Sequence, residues 1–242
     1  MLKRFHDKNG IAFTICWIVA YCFLMSLGDA FSAVIKVEKS ITFVVALALS
    51  VGLILFLMKN DLLTNYGLCL PKASAKAMLF YIPILFMLTA NFWWGIAINY
   101  SIMETILYIL TMVCVGFLEE VIFRGLLFNS MAKDNVKMAI IVSSLTFGIG
   151  HIINLVNGSG VDLLSNLLQV VYATAAGFMF VMIYVKSKSL MVCIISHGLF
   201  NAFSAFSSKT GDGAEAMLIT AICLTVITGS YAAYLYLSTE KT

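Results

Sequence analysis

The sequence predicts an all-α protein that crosses a membrane several times, as a polytopic transmembrane bundle of about eight helices. Of its 242 residues, 62% are hydrophobic and only 11% are charged, whereas soluble globular domains carry about 25% charged residues. Many apolar stretches reach about 20 residues, the length that a helix needs to cross the hydrocarbon core. No stretch reads as a soluble domain, so we expect residues 1–242 to form a single integral membrane domain.

The apolar stretches define the predicted helices in chain order. They lie near residues 11–35, 41–58, 77–100, 103–130, 137–157, 163–185, 189–207 and 214–237. The second is short for a membrane span, and charged residues interrupt the fourth. The first follows a basic segment and contains Ala30-Phe31-Ser32, which resembles a signal-peptide cleavage site. Because its apolar region is longer than the usual 7–15 residues of a signal peptide, we predict a retained membrane helix.

The basic residues predict the orientation of the chain. If the N-terminus is cytoplasmic, alternation of the eight helices places three basic residues outside and one within a span: Lys36, Lys39, Lys209 and, in the span, Arg124. The cytoplasmic side then holds Lys3, Arg4, Lys8, Lys59, Lys72, Lys76, Lys133, Lys137, Lys186, Lys188 and Lys241. Cytoplasmic loops are enriched in Lys and Arg. We therefore predict a multi-pass cell-membrane protein with cytoplasmic N- and C-termini, surrounded by membrane lipid. No basic cluster indicates nucleic-acid binding.

Three charged residues lie within the fourth apolar stretch. A charge at the centre of a membrane helix costs about 2.5–3.5 kcal/mol on insertion scales, so these residues call for a specific role. Glu120 and Arg124 are four residues apart, with the acid first, which favours an ion pair on one helix face. Glu119 is rotated by about 100° from Glu120 and lacks such a partner on its helix. Glu119 is therefore the candidate general base.

Two of the three histidines lie in apolar stretches, whereas His6 lies in the basic N-terminal tail and is predicted to be solvated. His151 follows Phe147-Gly148-Ile149-Gly150, and His197 begins the segment His197-Gly198-Leu199-Phe200-Asn201. Both histidines adjoin glycines, which allow close helix approach. A lone membrane histidine often only bonds a neighbouring helix. Two histidines, two glutamates, an arginine and an asparagine together favour a shared polar site.

These residues form three motifs in order: Glu119-Glu120-x-x-x-Arg124, Phe147-x-x-x-His151 and His197-x-x-x-Asn201. Together they resemble the motifs of the CPBP family, the CAAX proteases and bacteriocin-processing enzymes formerly grouped as Abi proteins. The motifs cover residues 119–201, within a motif-bearing core of about 103–207. The resemblance implies a bundle of about eight helices, with a site open toward the cytosol and the membrane interior. The short chain is similar to the bacterial branch linked to bacteriocins and peptide pheromones.

The resemblance also implies an activity, that of an intramembrane endopeptidase acting on a membrane-associated peptide or protein precursor. Glu119 would activate the attacking water, and His151 would help to position and polarise it. His197 and Asn201 would stabilise the oxyanion of the tetrahedral intermediate. The remaining motif residues would hold the motif helix or pack beside the site: Glu120, Arg124 and Phe147.

Several alternatives remain open at the level of sequence. We predict no cofactor, but Glu119, His151 and His197 could also form a three-ligand zinc set, although no His-Glu-x-x-His motif is present. A non-enzymatic family member could act as a bacteriocin-immunity factor or as a scaffold that regulates a membrane partner. Buried Glu and His also form proton relays in transporters. The site lacks the paired Gly/Pro-interrupted segments that would favour a transporter.

Overall fold

The computed structural model describes residues 1–157 and 160–239 and confirms an all-α bundle. Lys241 and the C-terminal residue lie outside the described residues. The α-helices, in order, are α1 Leu2–Lys8, α2 Gly10–Ile35, α3 Ser40–Lys59, α4 Ile82–Leu88, α5 Ile102–Glu120, α6 Asn129–Ala132, α7 Val136–Gly150, α8 Leu163–Ser187, α9 Met191–Phe203 and α10 Ala214–Thr239. A π-helix, Val121–Phe128, joins α5 to α6. Short 3-10 turns flank the helices at Lys76–Tyr81, Ala90–Phe92, His151–Leu155, Ser204–Phe206 and Lys209–Asp212.

Within residues 1–157 and 160–239, six helical segments are long and apolar enough to cross a membrane, which makes this a multi-pass membrane protein. They are Gly10–Ile35, Ser40–Lys59, Ile102–Ala132, Val136–Leu155, Leu163–Ser187 and Ala214–Thr239. All six fall on predicted apolar stretches. The other two predicted stretches form the shorter helical segments Lys76–Phe92 and Met191–Phe206. The predicted number of helical segments is therefore confirmed, but two of them are shorter than a full span.

The third predicted helix, over residues 77–100, is not continuous. Leu79, Phe80 and Tyr81 have positive φ angles of 47°, 50° and 58°, and α4 begins immediately afterwards. Pro83 lies in the first turn of α4. In a helix running through this point, the Pro83 ring would clash with the carbonyl of the residue four positions earlier, which is Leu79. A single proline therefore breaks a stretch that hydropathy alone marks as one helix.

Close contacts at glycine bring together the helices that carry the motifs. A Cβ at Gly116 in α5 would lie 2.6 Å from the backbone nitrogen of Gly198 in α9, so these helices approach at backbone distance. A Cβ at Gly177 in α8 would lie 2.9 Å from the carbonyl oxygen of Ser144 in α7. Glycine permits such approach because it has no side chain. The contacts bring the residues that follow Gly116 and those around Gly198 to the same depth in the bundle.

The helices end at two opposite ends of the bundle. At the first, which we call the basic end, the segments 1–9, 60–76, 129–136 and 187–191 meet; for example, the Leu190 amide donates to the Gly67 carbonyl over 2.7 Å. At the second, which we call the distal end, the segments 36–39, 93–101, 151–157, 160–162 and 204–213 meet. There, the Ser208 amide donates to the Gly95 carbonyl over 3.3 Å. The ten described basic residues predicted to be cytoplasmic all lie at or near the basic end.

A packed core closes the basic end. Its buried residues include Phe13, Leu62, Tyr66, Leu126, Leu127, Phe128, Tyr184 and Leu190. His6 joins this core: a ring nitrogen pairs with the Tyr66 hydroxyl, and its ring meets that of Phe13 edge-on at 5.3 Å. The prediction that His6 is solvated is therefore wrong, because the loop after α3 supplies Tyr66 as a polar partner and α2 supplies apolar contact through Phe13.

Candidate active site

The two motif glutamates lie at the point where α5 changes into the π-helix. Glu119 and Glu120 are the last residues of α5, and Arg124 lies within the π-helix Val121–Phe128. All eight residues of the π-helix are buried. The sequence predicted a regular α-helix through this region. π-Helical turns are rare and often occur at functional sites, and here the widened turn directly follows the glutamate pair.

The predicted ion pair between Glu120 and Arg124 is confirmed. Arg124 Nη1 lies 3.1 Å from Glu120 Oε1, and both residues are 0% exposed. Arg124 Nη2 also lies 3.4 Å from the Gly177 carbonyl, and its guanidinium carbon lies 4.0 Å from the centre of the Phe147 ring. Arg124 thereby joins the motif helix to α7 and α8, so the pair holds several helices in one arrangement.

His197 lies between the two glutamates. Its Nδ1 is 2.8 Å from Glu120 Oε1, while its Nε2 is 3.6 Å from Glu119 Oε2. The imidazole stacks on the Phe180 ring at 5.5 Å and meets the Phe147 ring edge-on at 5.6 Å. Because Glu120 occupies one ring nitrogen and two aromatic rings fix the plane, the other nitrogen is directed at Glu119.

Glu119 has a partner that the sequence did not reveal. The hydroxyl of Tyr21, in α2, donates to Glu119 Oε1 over 2.6 Å. A buried tyrosine hydroxyl normally finds a hydrogen-bond partner, but the chain has 10 tyrosines and nothing in the pattern marks this one. The prediction that Glu119 lacks a partner on its own helix still agrees with the structure, since the partner comes from a helix about 100 residues earlier.

A cavity of about 480 Å³ gathers the remaining predicted residues around Glu119. His151 and Asn201 both line it, and a smaller cavity of about 50 Å³ lies between these two residues and His197. His151 sits at the end of α7, with Nδ1 3.1 Å from the Phe147 carbonyl. The Phe147 ring contacts both His151 and His197, as predicted for a residue that packs beside the site. The structure therefore brings all seven predicted site residues into one region.

Comparison with known proteins agrees with this arrangement. Residues 100–203 match the family model for type II CAAX prenyl endopeptidases of the Rce1-like kind. A segment of 87 residues is 33% identical to "Putative membrane peptidase YdiL" of Bacillus subtilis (strain 168). The chain is therefore similar, over less than half of its length, to membrane peptidases of the kind that the three motifs indicate. The segment shared with the Bacillus relative covers 36% of this chain and 30% of the relative's length. All three motifs fall inside the matched residues 100–203.

The site is reached from the distal end of the bundle. Beyond Glu119, the cavity wall continues through Asp29 of α2 to Lys39. Lys39 Nζ binds Asp29 Oδ1 at 2.8 Å, and the Thr42 hydroxyl donates to the same oxygen over 2.7 Å. Burial by itself would lower the pKa of the Lys39 ammonium, but the nearby acidic groups, Asp29 first and then Glu38, together outweigh burial and raise that pKa above its ordinary value. An ion pair therefore borders the cavity at this end.

Within the described part of the chain, no residue of the four basic-end segments lines the cavity. The deepest wall is formed by α5 and the start of the π-helix, through Glu119 and Phe123. Two expectations from the sequence therefore conflict. The charge pattern predicts that the basic end is cytoplasmic, whereas the family resemblance implies that the site opens to the cytosol. In this fold the cavity opens away from the basic end, so only one of the two can hold.

The described side chains do not form a metal site of the expected kind. Across residues 1–157 and 160–239, no three His, Cys, Asp or Glu side chains converge so that they could hold a metal ion. His197 Nδ1 is engaged by Glu120, and its Nε2 lies 3.6 Å from Glu119 Oε2. In this arrangement Glu119, His151 and His197 are not gathered into a three-ligand set.

Proposed function

We propose that this protein is an intramembrane endopeptidase that hydrolyses a peptide bond in a membrane-associated peptide or protein precursor. Its partners are then membrane lipid and that peptide substrate. The main support is the position of Glu119: its carboxylate faces a cavity inside an apolar bundle, with His197 Nε2 3.6 Å away. Peptide hydrolysis needs a base that activates water and a donor that stabilises the oxyanion. Glu119 and His197 supply these two functions side by side.

The charge balance of the cluster supports this division of roles. Ionised Glu119, ionised Glu120 and Arg124 together carry a net charge of −1. One additional proton makes the cluster neutral, and uncompensated charge is costly inside a protein. We assign this proton to His197, which then donates from Nδ1 to Glu120 and presents an N–H at Nε2 toward the cavity. In that arrangement the Glu119 carboxylate can accept a proton from water.

His151 and Asn201 complete the proposed reaction geometry. If His151 donates from Nδ1 to the Phe147 carbonyl, its Nε2 is an acceptor that can help to position the attacking water. The Asn201 side chain carries two N–H donors and lines both cavities. Asn201 and protonated His197 are then the two oxyanion donors. Removing one such donor in other hydrolases costs about 2.7–4 kcal/mol.

Tyr21 serves as a positioning residue in this scheme. By donating to Glu119 Oε1, it fixes the carboxylate rotamer and leaves Oε2 on the side of His197. The catalytic base is thus held from two directions, by α2 and by α9. Water is the only reactant besides the peptide, and no step requires a cofactor.

The test is comparative peptidomics of membranes that carry the wild type or Glu119→Gln. Glutamine keeps the size and the acceptor for Tyr21 but cannot take a proton from water. We expect a defined precursor to accumulate with Glu119→Gln, with turnover reduced by about 10²–10⁴-fold, the usual contribution of a general base. The matched control is Glu215→Gln, the same change at an exposed carboxylate in α10, which should process the precursor normally.

The non-enzymatic alternative, an immunity factor or scaffold, predicts a different result. A scaffold needs the fold but not the base. If Glu119→Gln and His151→Ala both insert at wild-type levels and leave precursor processing and the cellular phenotype unchanged, the protease proposal is wrong. Loss of processing with normal protein levels would instead contradict the scaffold.

A further inference from the structure

We infer that the site receives its substrate from the non-cytoplasmic side of the membrane. The substrate class is then a polypeptide segment presented on that side: an exported peptide, or an extracytoplasmic tail or loop of a membrane protein. This inference rests on the proposed function for its substrate. The direction of access rests separately on the shape of the cavity and on the distribution of charge.

The first argument is the course of the cavity. It begins at Glu119 and Tyr21 and continues along α2 to Asp29 and Lys39 at the distal end. Tyr21 and Asp29 are eight residues apart in α2, which corresponds to about 12 Å along the helix axis. On the opposite wall, Ser204 follows the end of α9 at the same end of the bundle. A chain that reaches Glu119 through this cavity enters past the Asp29–Lys39 ion pair.

The second argument is the closure of the basic end. Beyond the glutamate pair, the π-helix is buried along its whole length. The Phe128 and Tyr184 rings meet at 5.8 Å, and Leu190 is 0% exposed, so the space toward this end is filled by the core. Protein cores are packed to the density of organic crystals. Access from the basic end would therefore require this core to open.

The third argument is the orientation of the bundle. Ten described basic residues lie at or near the basic end, and three lie at the distal end: Lys36, Lys39 and Lys209. The bias of Lys and Arg in short loops sets orientation during insertion. The basic end is therefore cytoplasmic, and the cavity opens on the other side. The expectation of a cytoplasmic basic end is therefore kept, and the expectation of a site open to the cytosol is rejected.

The experiment is cysteine labelling of the full-length protein in intact cells with a membrane-impermeant maleimide. The background keeps Cys193, which is 0% exposed, and replaces the five other cysteines by alanine: Cys16, Cys22, Cys69, Cys114 and Cys223. Two matched reporters are added singly, Asp134→Cys at the basic end and Asp212→Cys at the distal end. Both positions are exposed, and neither substitution removes a basic residue. Labelling is normalised to the value after denaturation in SDS, which also reveals any variant that fails to accumulate.

Two further reporters test the cavity itself. Restoring Cys22, which lines the cavity next to Tyr21, reports access to the site with a small impermeant methanethiosulfonate. Restoring Cys16, an exposed residue of the same helix that does not line the cavity, is the control. Cys16 should not react, because the reagent needs a thiolate and lipid disfavours its formation.

The inference predicts that Asp212→Cys and Cys22 react in intact cells, whereas Asp134→Cys reacts only after permeabilisation. The reverse pattern for Asp134→Cys and Asp212→Cys would show that the bundle is inverted and would overturn the inference. It would also be overturned if Cys22 reacts only from the cytoplasmic side, in inside-out vesicles. None of these labelling results depends on cleavage, so a failure of the proposed protease activity in the Glu119→Gln experiment is distinguishable from a failure here.

Discussion

The buried ion pair between Glu120 and Arg124 allows a direct test of how electrostatics stabilise the site. In Arg124→Met, the side chain keeps much of its apolar bulk but loses its charge and its donors. Arg124 Nη1 lies 3.1 Å from Glu120 Oε1, and both residues are 0% exposed. Among the described residues, no group hydrogen-bonds the other carboxylate oxygen of Glu120. The variant therefore leaves a buried carboxylate with His197 as its remaining partner.

The expected magnitude follows from this loss of compensation. Removing one partner of a buried ion pair costs about 3–5 kcal/mol, and here it leaves the cluster of Glu119, Glu120 and protonated His197 with a net charge of −1. For a chain of 150–250 residues, 1 kcal/mol corresponds to about 2–4 °C in Tm. We therefore expect Arg124→Met to lower Tm by about 6–20 °C, measured by fluorescence-detected thermal unfolding of the protein in detergent.

Two controls separate this effect from a general loss of packing. In Lys3→Met, an ion pair of the same i,i+4 spacing is lost, but its side chains are 41% and 52% exposed, so Tm should not change measurably. The double variant Glu120→Gln/Arg124→Met removes both charges and should recover part of the lost stability. The electrostatic reasoning is refuted if Arg124→Met unfolds at the wild-type temperature. It is also refuted if the loss of stability in the double variant exceeds the summed losses of the two single variants.

Two further perturbations test how the site is positioned. Tyr21→Phe removes the hydroxyl that holds Glu119 and should lower kcat by roughly tenfold with KM unchanged. This change corresponds to about 1.4 kcal/mol in the activation barrier. An unchanged kcat would show that Tyr21 does not position the base. Gly116→Leu places side-chain atoms where a Cβ already meets Gly198 nitrogen at 2.6 Å, so it should separate α5 from α9, abolish processing and lower Tm. Gly229→Leu, at a position whose Cβ meets nothing within 4 Å, should leave both properties nearly unchanged.

Much of the fold could be predicted because it depends on local sequence. Each apolar stretch forms helix because a membrane-embedded backbone must satisfy its own hydrogen bonds, and hydropathy reports that condition residue by residue. The Glu120–Arg124 pair was predictable for a similar reason, since residues four apart on a helix are neighbours whatever surrounds them. The continuous helix over 77–100 failed because the break at Pro83 is a steric effect that hydropathy does not measure.

The sequence alone determined the class of the protein, the positions of its apolar helices and the residue types of its site, because these follow from composition and from spacing along one helix. The tertiary structure decided which of those residues meet. Tyr21 reaches Glu119 across 98 positions, and His197 reaches Glu120 across 77. It also decided that the cavity opens at the distal end, away from the basic one. Both outcomes depend on how helices pack against one another. Packing depends on the shapes of the surfaces in contact, and the spacing of residues along a single helix does not encode those shapes.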